Sequence, residues 1–381
     1  MTLADISETL AAASRDRRRV AIDGGGTKRE WGSLAPAADV TISTRGLNTV
    51  IAHRYGDLTA TVEAGASLAD VNRVLATHGQ WIPLDPPHAD RVTIGGIVAT
   101  NDSGPRRHRF GAPRDLIIGV EIVRVDGTRA KSGGIVVKNV AGYDLGRLMT
   151  GSFGSLALIA QATFKLYPIA PASRSVVVDM DDSGVAERTI AAISGSHLTP
   201  TALELQAKPL RLLVRFESIA AAADEQAAAL VRLATTDGAR AFVVDTAEES
   251  ALWDAHDARL WQHPGAIIKI SCLPTEVMPT MIAIGESLRD VEWDAIGRAG
   301  VGVLLLRVGA NSARQARIIT DLRARFPHGR GSVVIVRGSD ELKQSVDAWG
   351  APGDALPLMR AIKRQFDPHA LLNTGRGPFG L

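Results

Sequence analysis

The first glycine cluster of the chain reads Asp23-Gly24-Gly25-Gly26-Thr27-Lys28 and follows a short predicted strand at residues 20–22. Glycine permits positive φ angles, and successive exposed N–H groups in such a loop can bind a phosphate. The cluster has neither the Gly-Lys-Ser/Thr ending of a Walker loop nor the G-x-G-x-x-G spacing of a dinucleotide-binding turn. An ordinary tight turn is therefore an equally good interpretation of this cluster taken alone.

Two more glycine-rich segments follow, at residues 86–107 and 138–156, and 20 of the 37 glycines lie between Asp23 and Gly154. Three separated segments of this kind fit a ligand with a pyrophosphate and a broad planar ring better than a ligand with one phosphate. The alternative is a sheet domain with many tight turns. Between the segments, Ser67 with Asp70 predicts the start of a helix, and a strand at 116–125 ends in a hairpin at Asp126-Gly127.

From about residue 174 the sequence predicts the order strand, helix, strand, strand, helix, strand, and then predicts it again. The first set covers 176–178, 185–193, 203–205, 212–216, 219–233 and 242–244. The second set covers 267–271, 278–288, 291–296, 301–308, 313–326 and 333–336. This order is typical of split βαβ, ferredoxin-like units. A polar linker at 338–354 and an amphipathic helix with Leu358, Ile362 and Phe366 follow.

The composition excludes several classes of protein. A length of 381 residues with 45% hydrophobic residues suggests about two domains. Forty-three Lys and Arg against 41 Asp and Glu leave a net charge of +2, without the basic blocks of a nucleic-acid binder. The single cysteine, Cys272, cannot supply the roughly four thiolates of an iron–sulfur cluster. No run reaches the ~18 apolar residues of a membrane span and no signal peptide is evident, so a cytoplasmic protein is expected.

The motifs resemble a known family. The three glycine-rich segments, with the strand at 116–125 between the second and third, are similar to the FAD-binding domain of the vanillyl-alcohol-oxidase and p-cresol-methylhydroxylase type. Several stretches resemble in particular the FAD-binding (E) subunits of bacterial glycolate oxidases: Pro86-Pro87-His88, Gly95-Gly96, Gly104-Pro105-Arg106-Arg107, Lys138-Asn139-Val140-Ala141-Gly142-Tyr143-Asp144-Leu145, Arg147-Leu148-Met149, Phe366-Asp367-Pro368 and Leu372-Asn373-Thr374-Gly375-Arg376. The resemblance is strong over residues 60–168 and at the tail, and weak in the middle.

The resemblance implies an α+β fold. It places a two-subdomain FAD-binding domain of the p-cresol-methylhydroxylase type at 1–170 and an α/β cap of ferredoxin-like βαββαβ units at 171–350. A C-terminal segment at 351–381 then returns to the first domain. It assigns FAD contacts to Gly24, Gly25, Gly26, Thr27, Lys28, Pro86, Thr93, Gly95, Gly96, Ala99, Thr100, Ser103, Gly104, Ala157, Ile159 and Arg376. Valine at Gly25 or Gly96 is accordingly expected to abolish flavin binding more than folding.

Two departures concern the flavin ring: Thr374 stands where proline is commoner in the family, and Phe153 stands where hydroxyacid-oxidising relatives carry glutamate. Covalent flavin in the superfamily uses a histidine in the first loop or a cysteine in the substrate domain. Here Lys28 follows Thr27, and Cys272 lies in a predicted strand. Non-covalent FAD is therefore expected.

Catalytic relatives carry closely spaced histidines and a Glu-His-Gly signature in the cap, which this chain lacks. His256 and His263 are seven residues apart and flanked by tryptophans, so they fit a helix face or a loop better than a metal site. His88 either lies near the flavin or caps a turn, and Tyr143 either hydrogen-bonds the flavin or the substrate or is structural. Arg376 either stabilises charge on the reduced ring or lies on the surface. The sequence assigns no catalytic residue and no metal ligand.

These points together predict the FAD-binding subunit of a glycolate oxidase (glycolate dehydrogenase) complex. The resemblance implies two partners: a catalytic FAD-linked subunit that oxidises glycolate to glyoxylate, and an iron–sulfur subunit that accepts the electrons. Through them the chain would lie at the inner face of the membrane. The alternatives are a self-sufficient FAD-dependent 2-hydroxyacid dehydrogenase and a non-catalytic structural subunit without FAD.

Overall fold

A computed structural model describes residues 1–134, 143–326 and 329–381; residues 138–142 of the third predicted glycine-rich segment lie outside the described residues. The chain divides into two compact units. Unit 1 comprises Met1–Gly104, Phe110–Ile169 and Ala351–Leu381, and unit 2 comprises Pro105–Arg109 and Ala170–Gly350. In the part of the chain that the structure describes, no helix is both long and apolar enough to cross a bilayer.

Short strands make up the sheets of unit 1. They are β1 (Val20–Asp23), β2 (Val40–Ser43), β3 (Val50–Arg54), β4 (Thr59–Glu63), β5 (Gln80–Trp81), β6 (Ile117–Val123), β7 (Arg129–Gly133), β8 (Leu158–Lys165) and β9 (Tyr167–Pro168). Five of them form an antiparallel sheet in the order β3-β4-β8-β6-β7. β1 pairs in parallel with β2, and β5 pairs with β9. The predicted hairpin at Asp126-Gly127 is confirmed, since it joins β6 to β7.

The helices before residue 150 are α1 (Leu3–Arg15), α2 (Leu68–Ala76), α3 (Ile94–Thr100), α4 (Arg107–Phe110), α5 (Pro113–Leu116) and α6 (Leu145–Met149). The predicted start of α2 is confirmed, because the Ser67 hydroxyl accepts a hydrogen bond from the Asp70 amide at 3.1 Å. Helix α3 packs on β4 and β8, where Ile97 and Phe164 are fully buried. This packing fixes one face of α3 on the sheet, whereas Gly96, Ala99 and Thr100 on its other side remain partly exposed.

Unit 2 contains one eight-stranded antiparallel sheet and six helices among its described residues. The strands are β10 (Ala172–Asp179), β11 (Ala202–Gln206), β12 (Arg211–Ser218), β13 (Arg240–Val243), β14 (Ala266–Ser271), β15 (Glu292–Arg298), β16 (Val303–Gly309) and β17 (Ser332–Arg337). The helices are α7 (Ser183–Gly195), α8 (Ala220–Thr236), α9 (Thr246–Ala258), α10 (Val277–Ser287), α11 (Ser312–Arg325) and α12 (Asp340–Ser345). The strand order is β13-β10-β12-β11-β15-β16-β14-β17.

Two βαββαβ units are therefore confirmed: each supplies four neighbouring strands, and the two meet where β11 pairs with β15. One sheet face is apolar, with residues such as Val176 and Val214 in the core. Two elements differ from the expectation. The sequence did not predict α9, and the predicted linker at 338–354 contains α12.

The tail of the chain belongs to unit 1. The predicted amphipathic helix is α13 (Leu356–Phe366), in which Ile362 and Phe366 pack against the unit 1 core whereas Leu358 is exposed. The Lys363 ammonium lies buried between the Asp367 carboxylate, at 2.6 Å, and the Ser155 carbonyl, at 2.7 Å. The Leu372 amide also donates to Asp367, at 2.8 Å. These bonds hold the end of α13 and the segment that follows it on the core of unit 1.

Candidate functional site

A cleft of about 690 Å³, open solvent included, lies in unit 1. Its walls are the glycine loop after β1, one side of α3, the turn before β8 and the tail after α13. Thirteen of the sixteen predicted cofactor contacts line it: Gly24, Gly25, Gly26, Thr27, Lys28, Thr93, Gly95, Gly96, Ala99, Thr100, Ala157, Ile159 and Arg376. Four distant segments of the sequence therefore meet at one cavity.

Three predicted contacts do not lie in the cleft wall. Pro86, Ser103 and Gly104 are buried outside its lining. A Cβ on Gly104 would come within 1.8 Å of the Asp85 carbonyl oxygen, so the glycine at this position is needed for the protein's own packing. The site residues that the sequence did not single out as contacts are Ile22, Asp23, Arg29, Thr44, Phe153, Gly154 and Asn373.

Hydrogen bonds at both ends of α3 fix the middle wall of the cleft. The Thr93 hydroxyl caps the helix by accepting from the Gly96 amide at 3.3 Å. At the other end, the Ala99 carbonyl accepts from the Phe153 amide at 2.8 Å. Phe153 adopts a left-handed φ of 55°, and Gly154 follows it with a φ of 69°. The turn at 153–154 is thereby attached to the end of α3.

Asn373 joins the first wall of the cleft to the turn at Phe153. Its side-chain oxygen accepts from the Ile22 amide at 2.9 Å, and its side-chain nitrogen donates to the Phe153 carbonyl at 2.7 Å. A left-handed φ of 41° at this position suits asparagine better than most residues. Asn373 lies in the tail motif but is not among the expected FAD contacts, and no local pattern marks its role because its partners lie 351 and 220 positions away.

The charged side chains of the cleft form ion pairs or hydrogen bonds with other groups of unit 1. The Lys28 ammonium is buried 2.9 Å from the Asp102 carboxylate and 5.3 Å from the centre of the Trp31 ring. Arg29 pairs with Asp23 at 2.5 Å. Arg376 instead donates to the carbonyls of Lys28 and Trp31, and its burial lowers the pKa of the guanidinium against the opposing effect of Asp23. Arg376 is therefore a partly buried residue of the cleft wall rather than a free surface arginine.

The glycines of the cleft serve different purposes. A Cβ on Gly25 would lie 1.9 Å from the Arg91 carbonyl oxygen, and one on Gly95 would lie 2.9 Å from the Ala64 side chain. On Gly96 a Cβ would meet only the Thr93 hydroxyl, at 3.2 Å. The expectation that valine at Gly25 would spare the fold is therefore wrong, because the loop packs against its own backbone there. Around Gly96 the protein leaves room for a side chain, so the expectation that valine there spares the fold stays a prediction.

Other residues that the sequence singled out lie elsewhere. Tyr143 is 90% exposed, and neither it nor His88 lines the cleft. Partial burial and the charges of Arg91 and Lys28 lower the pKa of His88. In unit 2, His256 is buried, with its Nε2 3.1 Å from a Glu204 oxygen. Within the described ranges, no group of three or more His, Cys, Asp or Glu residues could hold a metal ion.

Comparison with protein-family models places two matches on this chain. Residues 1–133 match the FAD binding domain, and residues 348–376 match the C-terminal domain of FAD linked oxidases. The two matches cover the glycine loop, α3 and the tail, which are three of the walls of the cleft. In these two matches the chain is similar to the FAD-linked oxidases. It is an FAD-dependent oxidoreductase, and FAD is its cofactor.

Curated relatives of the chain align over most of their length. It is 28% identical over 367 residues to glycolate oxidase subunit GlcE of Escherichia coli, covering 90% of this chain and 93% of the relative. It is 26% identical to glycolate oxidase subunit GlcD of Bacillus subtilis (98% and 86% covered) and 26% identical to D-2-hydroxyglutarate dehydrogenase of Xanthomonas citri (98% and 86%).

Solved structures support the fold of the chain. An alkyldihydroxyacetonephosphate synthase superposes with a TM-score of 0.70 at 14% identity, covering 97% of this chain and 74% of the other. The cleft also suits a dinucleotide chemically. No described residue accepts a hydrogen bond from the amides of Gly24, Gly25 or Gly26, so these donors are available to a phosphate.

We expect FAD to bind this chain without a covalent link. Lys28 follows Thr27 where a linking histidine would be needed, and an ammonium ion-paired with Asp102 is a poor nucleophile. Acid precipitation of the purified protein should release all the yellow colour into the supernatant. Colour that stays with the pellet after washing would contradict the expectation.

Cys272 is expected to react slowly with alkylating agents. Its burial, together with the charge of Glu276, raises the pKa of the thiol to about 11 from 9.0. Since the thiolate is the reactive form, alkylation by iodoacetamide near pH 8 should be about a hundredfold slower than in the unfolded chain. Mass spectrometry of timed samples measures both rates. Equal rates in native and unfolded protein would refute this.

Proposed function

We propose that the thirteen cleft-lining residues predicted from the sequence hold the FAD of this protein. Support comes from their meeting at one cavity and from the unpaired amides of the glycine loop. In this arrangement the loop after β1 contacts the diphosphate, and α3 and the segment at Ala157 and Ile159 contact the rest of the cofactor. Bound FAD supplies an acceptor for the hydride of a substrate.

We further propose that the chain is the FAD-binding subunit of a glycolate oxidase (glycolate dehydrogenase) complex. The observation that carries this proposal is the similarity to the E. coli glycolate oxidase subunit GlcE, which extends over 90% of this chain and 93% of the relative. The complex would include a catalytic FAD-linked subunit that oxidises glycolate to glyoxylate. The resemblance also implies an iron–sulfur subunit, and any cluster would lie on that subunit because the single cysteine of this chain cannot hold one.

A second candidate is a self-sufficient FAD-dependent 2-hydroxyacid dehydrogenase. It is favoured by the similarity to D-2-hydroxyglutarate dehydrogenase, which extends over 98% of this chain. The two candidates differ in what the purified chain does alone: the dehydrogenase oxidises its hydroxyacid without other subunits, whereas the complex subunit needs them.

The deciding experiment is purification of the tagged chain from its natural host under mild conditions. We expect a stable complex with a second flavoprotein and an iron–sulfur protein, about one FAD for each flavoprotein chain, and glycolate-dependent reduction of an artificial dye. A chain that purifies alone and oxidises a hydroxyacid would favour the second candidate. A chain that purifies without FAD would exclude both.

A further inference from the structure

The first three carbonyl groups of the glycine loop, those of Asp23, Gly24 and Gly25, accept hydrogen bonds from another part of unit 1. The Asp23 carbonyl accepts from the Thr44 amide at 2.9 Å and from the Thr44 hydroxyl at 3.2 Å. The next two carbonyls bind one guanidinium: Arg45 Nε donates to the Gly24 carbonyl at 2.9 Å, and Arg45 Nη2 donates to the Gly25 carbonyl at 3.3 Å. Three consecutive peptide groups are thus held from one side.

A hydrogen bond that fixes a carbonyl group also fixes the direction of the next residue's amide, because both belong to one planar peptide group. In a trans peptide the C=O of one residue and the N–H of the next point in opposite directions. Fixing the carbonyls of Asp23, Gly24 and Gly25 therefore turns the amides of Gly24, Gly25 and Gly26 to the other side of the loop. None of these amides donates to an acceptor among the described residues. Successive amides presented in this way form a site for an anion.

Arg45 differs from the other cations around the loop in its position. Its side chain is exposed, and it is absent from the lining of the cleft, whereas Lys28 and Arg376 both line it. Its two hydrogen bonds reach only the backbone. Glycine has unusual rotational freedom, so without these bonds the peptide groups at 24–26 can turn a carbonyl oxygen towards the ligand and repel a phosphate.

We propose that Arg45 is a positioning residue for the cofactor site: it holds the Gly24 and Gly25 carbonyls from behind the loop, so that the loop amides face the diphosphate of FAD. The inference rests on the proposed placement of FAD in this cleft. It assigns Arg45 a role through hydrogen-bond geometry rather than through direct attraction between its charge and the phosphate.

Arg376 makes the corresponding contact at the far end of the loop. Its guanidinium donates to the carbonyl of Lys28, and its own carbonyl accepts from the Ser33 amide at 3.2 Å. Because Arg376 is surrounded by the fold and Arg45 is exposed, a substitution at Arg45 tests carbonyl holding with less risk to folding. The test therefore uses Arg45.

The experiment compares Arg45→Ala, Arg45→Gln and the control Arg15→Ala by titrating each apoprotein with FAD and, separately, with ADP. ADP carries the diphosphate without the flavin ring. Arg15 is an exposed arginine in the last turn of α1, so its removal changes the net charge equally. We expect Arg45→Ala to weaken both ligands about tenfold, which corresponds to the loss of one or two hydrogen bonds. Its melting temperature without ligand should match that of the wild type.

Arg45→Gln separates geometry from charge. Its amide can donate to a carbonyl but carries no charge, so it should restore affinity to within about threefold of the wild type. If Arg45→Gln binds FAD and ADP as weakly as Arg45→Ala does, the charge of Arg45 acts directly and the inference is wrong. It is also wrong if Arg45→Ala binds like Arg15→Ala. In both cases the wild type still binds FAD, and the proposed function stands. Failure of the wild type to bind either ligand would overturn both.

Discussion

Valine in place of Gly96 is expected to abolish FAD binding while the protein still folds. Gly96 lies in α3 and lines the cleft, and a Cβ there would contact only the Thr93 hydroxyl, at 3.2 Å. The two methyl groups of valine therefore extend into the space proposed for the cofactor. The cost to α3 itself is small, because valine has a better helix propensity than glycine.

The measurement is FAD titration of the variant, together with its far-UV circular dichroism and melting temperature. Gly56→Val is the matched control: no atom lies within 4 Å of a Cβ at Gly56, and this position does not line the cleft. The control should bind FAD like the wild type. A Gly96→Val protein with full flavin content would show that α3 does not contact the cofactor. Gly25→Val cannot replace this test, because its Cβ collides with the Arg91 backbone.

The strands and most helices of unit 2 could be predicted because their pattern is local. Buried strand residues alternate, as Val176 and Val178 do on the core side of β10, and the helices follow with their own period. Helix α9 was not predicted, because its buried side has polar partners. Trp253 donates to the Ser175 hydroxyl at 2.8 Å, and His256 contacts Glu204, so the helix lacks a continuous apolar stripe.

The cleft could be predicted in outline because its glycine-rich walls are contiguous in the sequence. The residues that connect the walls could not, since no local pattern marks a contact between Asn373 and Ile22, or between Arg45 and a carbonyl of the loop. Sequence also could not separate glycines required by a ligand from those required by the protein. Gly25 and Gly96 look alike in sequence, and only the neighbouring Arg91 carbonyl distinguishes them.

The isolated, FAD-loaded chain is expected not to oxidise glycolate appreciably. Removing hydride from a 2-hydroxyacid requires a base that accepts the hydroxyl proton. In unit 2, both ring nitrogens of His256 have hydrogen-bond partners: Nε2 lies 3.1 Å from a Glu204 carboxylate oxygen, and Nδ1 lies 2.9 Å from the side-chain nitrogen of Gln206. A ring held in this way inside the core is not available to a substrate.

The cap also lacks the closely spaced histidines and the Glu-His-Gly signature that the resemblance associates with catalysis. Without such a base, the reaction loses the ~10²–10⁴-fold that general-base catalysis contributes. The assay measures reduction of an artificial dye by the purified chain with glycolate, and then repeats it with the co-purified partner subunits. His256→Gln provides a second arm, because glutamine keeps a polar side chain at this position and removes the imidazole. Rapid turnover by the chain alone would contradict the expectation and favour the self-sufficient dehydrogenase, and loss of that turnover in His256→Gln would identify His256 as its base. We expect instead that turnover appears only when the partner subunits are present.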